Sequence, residues 1–385
     1  MRILALEPYY GGSHKAFLDG WIARSRHAWT VLGLPAHKWK WRMRHGAVTL
    51  AGQVRDAKDA DCAWDALVCS DMLNLAEFLG LAPEPIRRIP SIAYFHENQL
   101  TYPVRRESER DLHFAFTNMT TALAATAVWF NSAFHRGAFL DALTGFLQRM
   151  PDHQPLDAVE RIRAKSSVHS PGVDEFPLRG PRRPGPLRIL WAARWEHDKN
   201  PEDFFKALAL LEARGFEFRV SVIGERFSET PIVFEEARRR FADRIDRWGF
   251  QESREEYEAS LKDADVVVST AGHEFFGLSV VEAIAAGCRP LLPDRLSYPE
   301  ILGEAAGAYL YGNSPKALAD AVSKQAQVLS AGPTPAAESA LPMKVVARYL
   351  WKTVAPALDR ELEELVDHCA AGSRASTGDR DGQRQ

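Results

Sequence analysis

Residues 264–292 constrain the fold of this chain most strongly. Residues 264–269 are apolar and β-branched, as in a buried strand, and residues 270–277 form a loop that carries two glycines and Glu274. Residues 278–286 have the apolar spacing of a helix, and another strand follows at once. This order is the repeating unit of a parallel α/β sheet. Because backbone N–H groups and the helix dipole point at the loop, the segment also predicts an anion-binding site.

The same alternation of strands and helices occurs on both sides of a proline- and glycine-rich segment at 176–186. Predicted strands start at Arg2, Trp29, Trp64, Pro90, Ala127, Leu187, Phe218, Ile245 and Ala264. The sequence therefore predicts two doubly wound, Rossmann-like domains at 1–175 and 187–341, with 176–186 as the linker, which suits a chain of 385 residues. A helix at 342–369 is expected to cross back to the first domain, and residues 370–385 are expected to form a disordered tail.

Two loops of the first domain follow predicted strands directly. Gly11 and Gly12 lie after the first strand, where glycine lets a backbone approach a ligand closely, although a plain tight turn explains them equally well. His96 ends the fourth strand and opens a polar run that continues through Gln99. Ligands bind at the carboxyl ends of parallel strands, so we favour a functional role for this run over local backbone capping.

A basic run at 38–45 interleaves lysines and arginines with two tryptophans. Cations bind a phosphate backbone, and tryptophans stack on bases or sugars, so this composition is typical of a nucleic-acid contact. A solvated helix face with its tryptophans packed inward explains the run equally well. The predicted contact residues are Lys38, Trp39, Lys40, Trp41, Arg42 and Arg44.

Overall composition narrows the class of protein. The formal charge is −3, so any nucleic-acid binding must come from a local patch such as this one. The four cysteines form no CxxC pair, and no window is apolar over the roughly 18–20 residues of a membrane span, so a reduced cytoplasmic protein is expected. Asp263 and Asp265 have the spacing of a metal-binding acidic pair, but residues 266–268 are a valine run, so we interpret the pair as the polar entry to a buried strand.

Two sets of residues resemble known glycosyltransferases. Arg194 and Lys199, with Glu274 and Glu282 in the context Glu-Phe-Phe-Gly-Leu-Ser-Val-Val-Glu, resemble the retaining glycosyltransferases of family four, which have the GT-B fold of two doubly wound domains facing across a cleft. The first half resembles the narrower tRNA-queuosine mannosyltransferase family. The segments that carry this resemblance are Glu-Pro-Tyr-Tyr-Gly-Gly-Ser-His at 7–14, Trp-Lys-Trp-Arg at 39–42, Phe-His-Glu-Asn-Gln-Leu-Thr-Tyr-Pro at 95–103, Phe-Asn-Ser at 130–132 and Ser-Tyr-Pro-Glu at 297–300.

The resemblance implies a donor site for a nucleotide sugar, GDP-mannose. It implies that Arg194 and Lys199 neutralise the donor diphosphate, that Glu274 accepts hydrogen bonds from sugar hydroxyls and that Glu282 holds the ribose diol. His96 is placed near the sugar, and retention of configuration needs no enzymic nucleophile. The remaining donor contacts that it implies are Gly11, Gly12, Gly224, Trp248, Gly249, Phe276, Gly277, Leu278 and Ser279.

The resemblance also implies an acceptor, the cyclopentenediol of queuosine in the anticodon of aspartate tRNA. Besides the basic run, the acceptor contacts that it implies are Ser13, His14, Glu97, Asn98 and Gln99. It implies no metal and no other cofactor. Two alternatives stay open: the same chemistry with another nucleotide sugar or with a lipid or glycan acceptor, and a non-catalytic module that binds a nucleotide sugar or RNA.

Overall fold

The computed structural model describes residues 1–56, 64–104, 110–177, 182–226, 230–330 and 343–381, with the backbone alone for 372–381. The chain forms two compact units. The first consists of Met1–Gly172 together with Trp351–Gln385, and the second of Val173–Leu350. Both have the predicted α/β architecture.

A six-stranded parallel sheet forms the centre of the first unit. Its strands are β1 (Arg2–Tyr10), β2 (Ala28–Pro35), β3 (Ala66–Ser70), β4 (Ser91–Phe95), β5 (Ala127–Phe130) and β6 (Ser166–Val168). They lie in the order β2-β1-β3-β4-β5-β6. Strands β3 and β4 are buried along their whole length, as continuous apolar runs in a parallel sheet require.

Helices cover this sheet. They are α1 (Gly12–Ile22), α2 (Trp39–Asp56), α3 (Leu75–Leu81), α4 (Glu84–Arg88), α5 (Leu112–Ala124), α6 (Ala133–Leu147), α7 (Asp157–Ala164) and the C-terminal helix α15 (Trp351–Asp381). Helix α15 packs Trp351, Val354 and Leu358 into the apolar cluster that contains Trp21. The Trp21 indole N–H donates to Asp359 at 2.8 Å, which joins α15 to α1.

The second unit has its own six-stranded parallel sheet. Its strands are β7 (Leu187–Ala192), β8 (Phe218–Ile223), β9 (Ile245–Gly249), β10 (Val266–Val268), β11 (Arg289–Pro293) and β12 (Leu310–Tyr311). The order is β12-β11-β10-β7-β8-β9. Its helices are α8 (Pro201–Ala213), α9 (Val233–Arg240), α10 (Arg254–Asp263), α11 (Leu278–Ala285), α12 (Tyr298–Leu302), α13 (Ala306–Tyr309) and α14 (Pro315–Ser330).

Three expected boundaries differ from the structure. The second unit begins at Val173, so the described part of the segment predicted as a linker belongs to it, while 178–181 lie outside the described residues. The C-terminal helix begins at Trp351 and not at 342, and residues 331–342 lie outside the described part. This helix continues to Asp381 through most of the segment predicted as a disordered tail.

Strand order fixes where a ligand can bind in each unit. In the first sheet the order reverses between β1 and β3, and in the second between β7 and β10. At such a reversal the loops leave on opposite faces of the sheet, so a crevice opens at the carboxyl ends of the two strands. The candidate residues of each unit follow these strands.

Candidate functional site

In the second unit, Lys199 joins the loop after β7 to the loop after β10. Its Nζ donates to the Glu274 carboxylate at 3.1 Å and to the His273 carbonyl oxygen at 2.9 Å. The Asp198 carboxylate is 3.2 Å from the same nitrogen. An ammonium group has three N–H donors, and the two hydrogen bonds use two of them, while Asp198 contributes an ion pair. The two loops that sequence analysis singled out separately are therefore one structural feature.

The backbone reinforces this link. The Asp198 carbonyl oxygen accepts from the Gly272 N–H at 2.7 Å and from the His273 N–H at 3.2 Å. The Thr270 hydroxyl donates to the Lys199 carbonyl oxygen at 2.9 Å. The loop that carries Glu274 is consequently held by the short 3-10 turn His197–Lys199 on one side and by β10 on the other.

Electrostatics keep Lys199 charged although it is buried. Burial by itself lowers the pKa of Lys199, but the carboxylates of Glu274 and Asp198 raise it above its ordinary value. Arg194 is half-exposed at the end of β7, with Nη2 3.3 Å from the Glu196 carboxylate. Two cations thus lie in the segment that enters the crevice, where a diphosphate would need positive charge.

Helix α11 begins beside these cations. Its first residue follows Gly277, which has a left-handed backbone with φ of 99° that favours glycine. The Phe276 carbonyl oxygen accepts from the buried Ser297 hydroxyl at 2.7 Å, so the loop enters the helix at a fixed angle. The Ser279 hydroxyl donates to the Ala192 carbonyl oxygen at 2.7 Å, which joins the first turn of the helix to the end of β7. The start of α11 therefore lies beside the end of β7, and the anion site at this place stays a prediction.

Glu282 points from α11 toward helix α10. One carboxylate oxygen accepts from Arg254 Nη1 at 2.9 Å, and the other accepts from the Tyr257 hydroxyl at 2.7 Å. These are the partners that an ionised carboxylate inside a helix requires. Each oxygen retains a second lone pair, so the ribose contact that the resemblance implies is compatible with this arrangement.

The residues expected near the nucleotide base lie at the ends of β8 and β9. Gly224 approaches β7 so closely that a Cβ there would stand 1.8 Å from the Ala193 carbonyl oxygen. Gly249 has φ of 98°, and a Cβ there would stand 3.1 Å from the Arg226 guanidinium. Trp248 packs into an aromatic cluster, with its ring 5.3 Å from that of Trp195. Close backbone approach therefore explains Gly224, and the left-handed backbone explains Gly249, while the Trp248 ring packs in the core.

The acidic pair before β10 is structural, as we interpreted it from the sequence. Asp265 is buried and accepts from the Arg188 backbone N–H at 2.9 Å. Asp263 pairs with Arg247 at 3.2 Å and with Arg183 at 3.0 Å. Arg247 and Arg183 thus neutralise Asp263, and Arg182, with its Nε 3.1 Å from the carboxylate, neutralises Asp265.

In the first unit, Gly11 and Gly12 have different reasons to be glycine. A Cβ on Gly11 would stand 2.3 Å from the Ala36 side chain, so Gly11 permits close packing of two loops. Gly12 has φ of 53° and faces open space at the exposed start of α1, next to exposed Ser13. Of the two, Gly12 is the one that a ligand could approach.

The loop after β4 is held by the neighbouring strand. The buried Asp71 carboxylate, just after β3, accepts from the His96 N–H at 2.8 Å and from the Glu97 N–H at 3.4 Å. The Asn98 side chain is buried and accepts from the Thr101 N–H at 2.9 Å, so it closes a turn within the loop. Gln99 is also buried, and its amide donates to Glu97 at 3.0 Å. Of the predicted polar run, the imidazole of His96 and the Glu97 carboxylate remain nearest to solvent.

His14 was expected to contact the acceptor, but the structure buries it. Its Nδ1 lies 3.2 Å from the Glu7 carboxylate, and its ring stacks on that of His96 with centroids 4.0 Å apart. Ligand atoms of Glu7, His14 and His96 lie within 4.8 Å of one another, close enough for a cation. However, the carboxylate raises the pKa of His14 to about 9 against the lowering effect of burial. We interpret the contact between Glu7 and His14 as an ion pair.

The basic run forms the start of α2, and its two tryptophans point in different directions. Trp39 is partly buried against Phe114 of α5, with ring centroids 5.2 Å apart. Trp41 is 60% exposed and stacks on His45. Lys38, Lys40 and Arg44 are exposed, whereas Arg42 donates to the Pro35 carbonyl oxygen at 2.9 Å. The inward packing expected of a solvated helix face is therefore found for Trp39 only, and the nucleic-acid contact, with which the exposed Trp41 is compatible, stays a prediction.

Comparison with known proteins assigns both units. The model for the N-terminal domain of tRNA-queuosine alpha-mannosyltransferases matches residues 2–173, and that for group 1 glycosyltransferases matches 174–327. The chain is 39% identical over 312 residues to the tRNA-queuosine alpha-mannosyltransferase of Drosophila melanogaster, which covers 78% of this chain and 81% of that protein. The chain belongs to the tRNA-queuosine alpha-mannosyltransferase family. It is accordingly a hexosyltransferase.

More distant matches agree. The GDP-mannose:cellobiosyl-diphosphopolyprenol alpha-mannosyltransferase of Xanthomonas campestris is 28% identical over 52% of this chain and 51% of its own length. The sucrose-phosphate synthase of Thermosynechococcus elongatus superposes with a TM-score of 0.70 at 13% identity, over 96% of this chain and 100% of that one. The fold is thus the GT-B fold that the resemblance implied. Among the residues whose structure is described, no helix has the length and apolarity to cross a membrane.

Several residues that shape the site of this tRNA-queuosine alpha-mannosyltransferase family member were not predicted from the sequence. Arg254 and Tyr257 are three apart on α10, so they lie on one face of the helix, but nothing in the sequence links that face to Glu282. Ser297 lies in a segment that carries the family resemblance, but no sequence pattern predicted its hydrogen bond to the Phe276 carbonyl oxygen. Glu7 carried a signal that could have been read, because a carboxylate in an otherwise apolar strand needs a partner.

Proposed function

We propose that this protein transfers mannose from GDP-mannose to the cyclopentenediol of queuosine in tRNA, with retention at the anomeric carbon. The observation that carries the proposal is the identity to the Drosophila tRNA-queuosine alpha-mannosyltransferase across both units. The Xanthomonas relative, which matches at lower identity, has GDP-mannose in its name as the donor, which supports the same donor here. A non-catalytic module would not need the assembled ion-pair network around Lys199.

The residues that surround α11 in the second unit have separate roles in this reaction. The first turn of α11 binds the diphosphate through its backbone N–H groups, and Arg194 supplies a mobile positive charge. Lys199 holds the Glu274 loop through two hydrogen bonds and donates its third N–H to a phosphate oxygen of the donor. Glu274 then accepts hydrogen bonds from the sugar, and Glu282 contacts the ribose while Arg254 and Tyr257 hold it in place. Charge on the departing phosphate is stabilised without a metal.

The acceptor is assigned to the exposed part of the basic run, at Lys38, Lys40, Trp41 and Arg44. Trp41 offers a flat apolar ring for stacking, and the three cations around it contact phosphates. Phe116, 47% exposed on α5, extends the apolar surface of the same unit. Lys40→Gln combined with Arg44→Gln should weaken tRNA binding and reduce the dependence of affinity on salt by about two phosphate contacts. Donor hydrolysis should stay unchanged.

A matched control for that experiment is Arg88→Gln, which removes an exposed cation from α4 in the same unit and should leave the salt dependence unaltered. Trp41→Ala should weaken tRNA binding by about 1–3 kcal/mol if one base stacks on the ring. Unchanged tRNA affinity in both the double variant and the tryptophan variant would show that the run is only a solvated helix face.

The test of the whole proposal is donor and acceptor profiling. Purified protein is incubated with GDP-mannose, and separately with other nucleotide sugars, together with tRNA that contains queuosine or lacks it. Digested nucleosides are read by mass spectrometry. We expect a hexose-bearing queuosine only with GDP-mannose and queuosine-containing tRNA. Transfer to a polyprenyl diphosphate or to a glycan, with none to tRNA, would refute the assignment of tRNA as the acceptor, while the assignment as a transferase would stand.

A further inference from the structure

Behind His96 lies a buried row of polar side chains that the proposed reaction does not yet use. Glu7, on β1, is 3% exposed. One of its carboxylate oxygens accepts from the Tyr9 N–H at 2.8 Å and from the Ser70 hydroxyl at 2.9 Å. The other lies 3.2 Å from Nδ1 of His14. The carboxylate is thereby fixed by β1 and β3, and it fixes the imidazole of His14 in turn.

The His14 ring forms one wall of the space that holds the His96 ring. The two imidazoles stack with centroids 4.0 Å apart and planes inclined at 33°. Phe17 meets the His96 ring edge-on at 5.3 Å, and Tyr94 meets it edge-on at 4.7 Å. The backbone N–H of His96 is held by Asp71. Packing therefore sets the orientation of the His96 ring. Of the three rings that contact it, His14 is the one that is paired with a carboxylate.

The charges in this row are ordered. Burial alone lowers the pKa of His14, but Glu7 raises it to about 9, with further help from Asp71 and Glu97. Burial and the neighbouring His14 and His135 hold the pKa of His96 well below its usual range. At neutral pH, His14 is consequently the imidazolium and His96 the neutral imidazole. A neutral imidazole has one N–H and one lone pair, so it can both donate to and accept from a sugar hydroxyl.

We propose that Glu7 and His14 are positioning residues for His96: the buried carboxylate–imidazolium pair holds the His96 ring in one orientation and keeps it uncharged. This role rests on the proposed function in one respect, since it takes from the family resemblance that His96 binds a sugar hydroxyl. The pair itself contacts neither substrate. The pair determines which face of the His96 ring is free and keeps that ring neutral.

The test combines Glu7→Gln with a direct reading of the histidines. Glutamine keeps the shape of the side chain but removes its charge. Side-chain nitrogen resonances of His14 and His96 are assigned with His14→Phe and His96→Asn and followed from pH 5 to pH 10 in the protein without substrates. We expect Glu7→Gln to lower the pKa of His14 by more than one pH unit and to raise that of His96. The control is Asp19→Asn, which removes a partly exposed carboxylate of α1 that contacts Lys15 and Tyr10.

The functional reading is the pH profile of donor hydrolysis, which needs no tRNA. For the unaltered protein and for Asp19→Asn, we expect kcat/KM to stay level toward mildly acidic pH. For Glu7→Gln, it should fall about tenfold for each pH unit below the raised pKa of His96, because a protonated His96 cannot accept a hydrogen bond. His14→Phe keeps an aromatic ring against His96 and should show the same acidic loss, which keeps the proposal testable if Glu7→Gln does not fold.

Two results would overturn the proposal. The first is a His96 titration that is the same in the unaltered protein, in Glu7→Gln and in His14→Phe. The second is one equivalent of a divalent metal in the purified protein that Glu7→Gln loses, since the cluster would then be a metal site. The histidine titration and the metal analysis use the protein without donor or acceptor, so their outcomes do not depend on the proposed function. Absence of transfer to tRNA together with the expected histidine titrations would refute the acceptor assignment alone.

Discussion

Lys199→Met is the substitution whose consequences the structure defines most sharply. Methionine retains an unbranched apolar stem but removes the ammonium group that contacts Glu274, Asp198 and the His273 carbonyl oxygen. Two carboxylates then lose their partner. The Asp198 side chain is only 9% exposed, whereas that of Glu274 is 26% exposed. The larger part of the cost in stability should therefore come from Asp198.

Removing one member of a buried ion pair costs about 3–5 kcal/mol, so we expect the free energy of unfolding to fall by that amount. Turnover of the donor should fall by about 10²–10³, the typical cost of losing one fixed charge at a leaving group. Arg194→Ala should lose turnover in the same range but little stability, because Arg194 is half-exposed. Urea unfolding followed by tryptophan fluorescence measures the first quantity, and donor hydrolysis under saturating GDP-mannose measures the second.

A double variant separates the two effects. Asp198→Asn removes the most buried unpaired charge that Lys199→Met leaves behind, so the pair of substitutions should recover most of the lost stability. It should not recover turnover if Lys199 acts on the diphosphate. Asp198→Asn alone should remain active. Recovery of turnover together with stability in the double variant would refute the charge-stabilising role and leave Lys199 as an anchor of the loop; near-normal turnover of Lys199→Met would do the same.

Three further substitutions test other parts of the structure. Gly277→Ala forces a Cβ onto a backbone with φ of 99° and should cost about 1–2 kcal/mol in unfolding free energy, with a rise in the KM for donor; an unchanged KM would contradict the anion site at α11. The Glu7–His14 pair should contribute at most about 3 kcal/mol of stability below pH 6.5, lost as the pH rises through about 9, because folding raises the pKa of His14; an equal pH dependence in Glu7→Gln would argue against it. Asp359→Ala leaves three donors of the first unit unpaired and should cost about 3 kcal/mol or more, measured by urea unfolding. The exposed Glu363→Gln on the same helix should cost less than about 1 kcal/mol, and equal costs for the two would refute the bridging role of Asp359.

Much of this protein follows from local sequence. Strand β8 at 218–223 and helix α5 at 112–124 have the bounds that their apolar patterns predict, because a strand covered by helices needs mostly apolar residues and a surface helix needs an apolar stripe. Gly277 and the apolar spacing of the residues after it likewise predicted where α11 begins. The residues that carry the resemblance also identified the family, since they are short segments at fixed spacing.

Only the tertiary structure decided which of these residues meet. Lys199 and Glu274 are 75 residues apart and meet because strand order brings their two loops to one edge of a sheet. Glu7 and Ser70 are 63 residues apart and meet because β1 and β3 are neighbouring strands. A strand pattern states that a loop is present but not which strand lies beside it. For the same reason, the sequence could not predict that His14 is buried against Glu7 while Trp41 remains exposed. Burial depends on packing between elements, and neighbouring residues of a loop or a helix point in different directions.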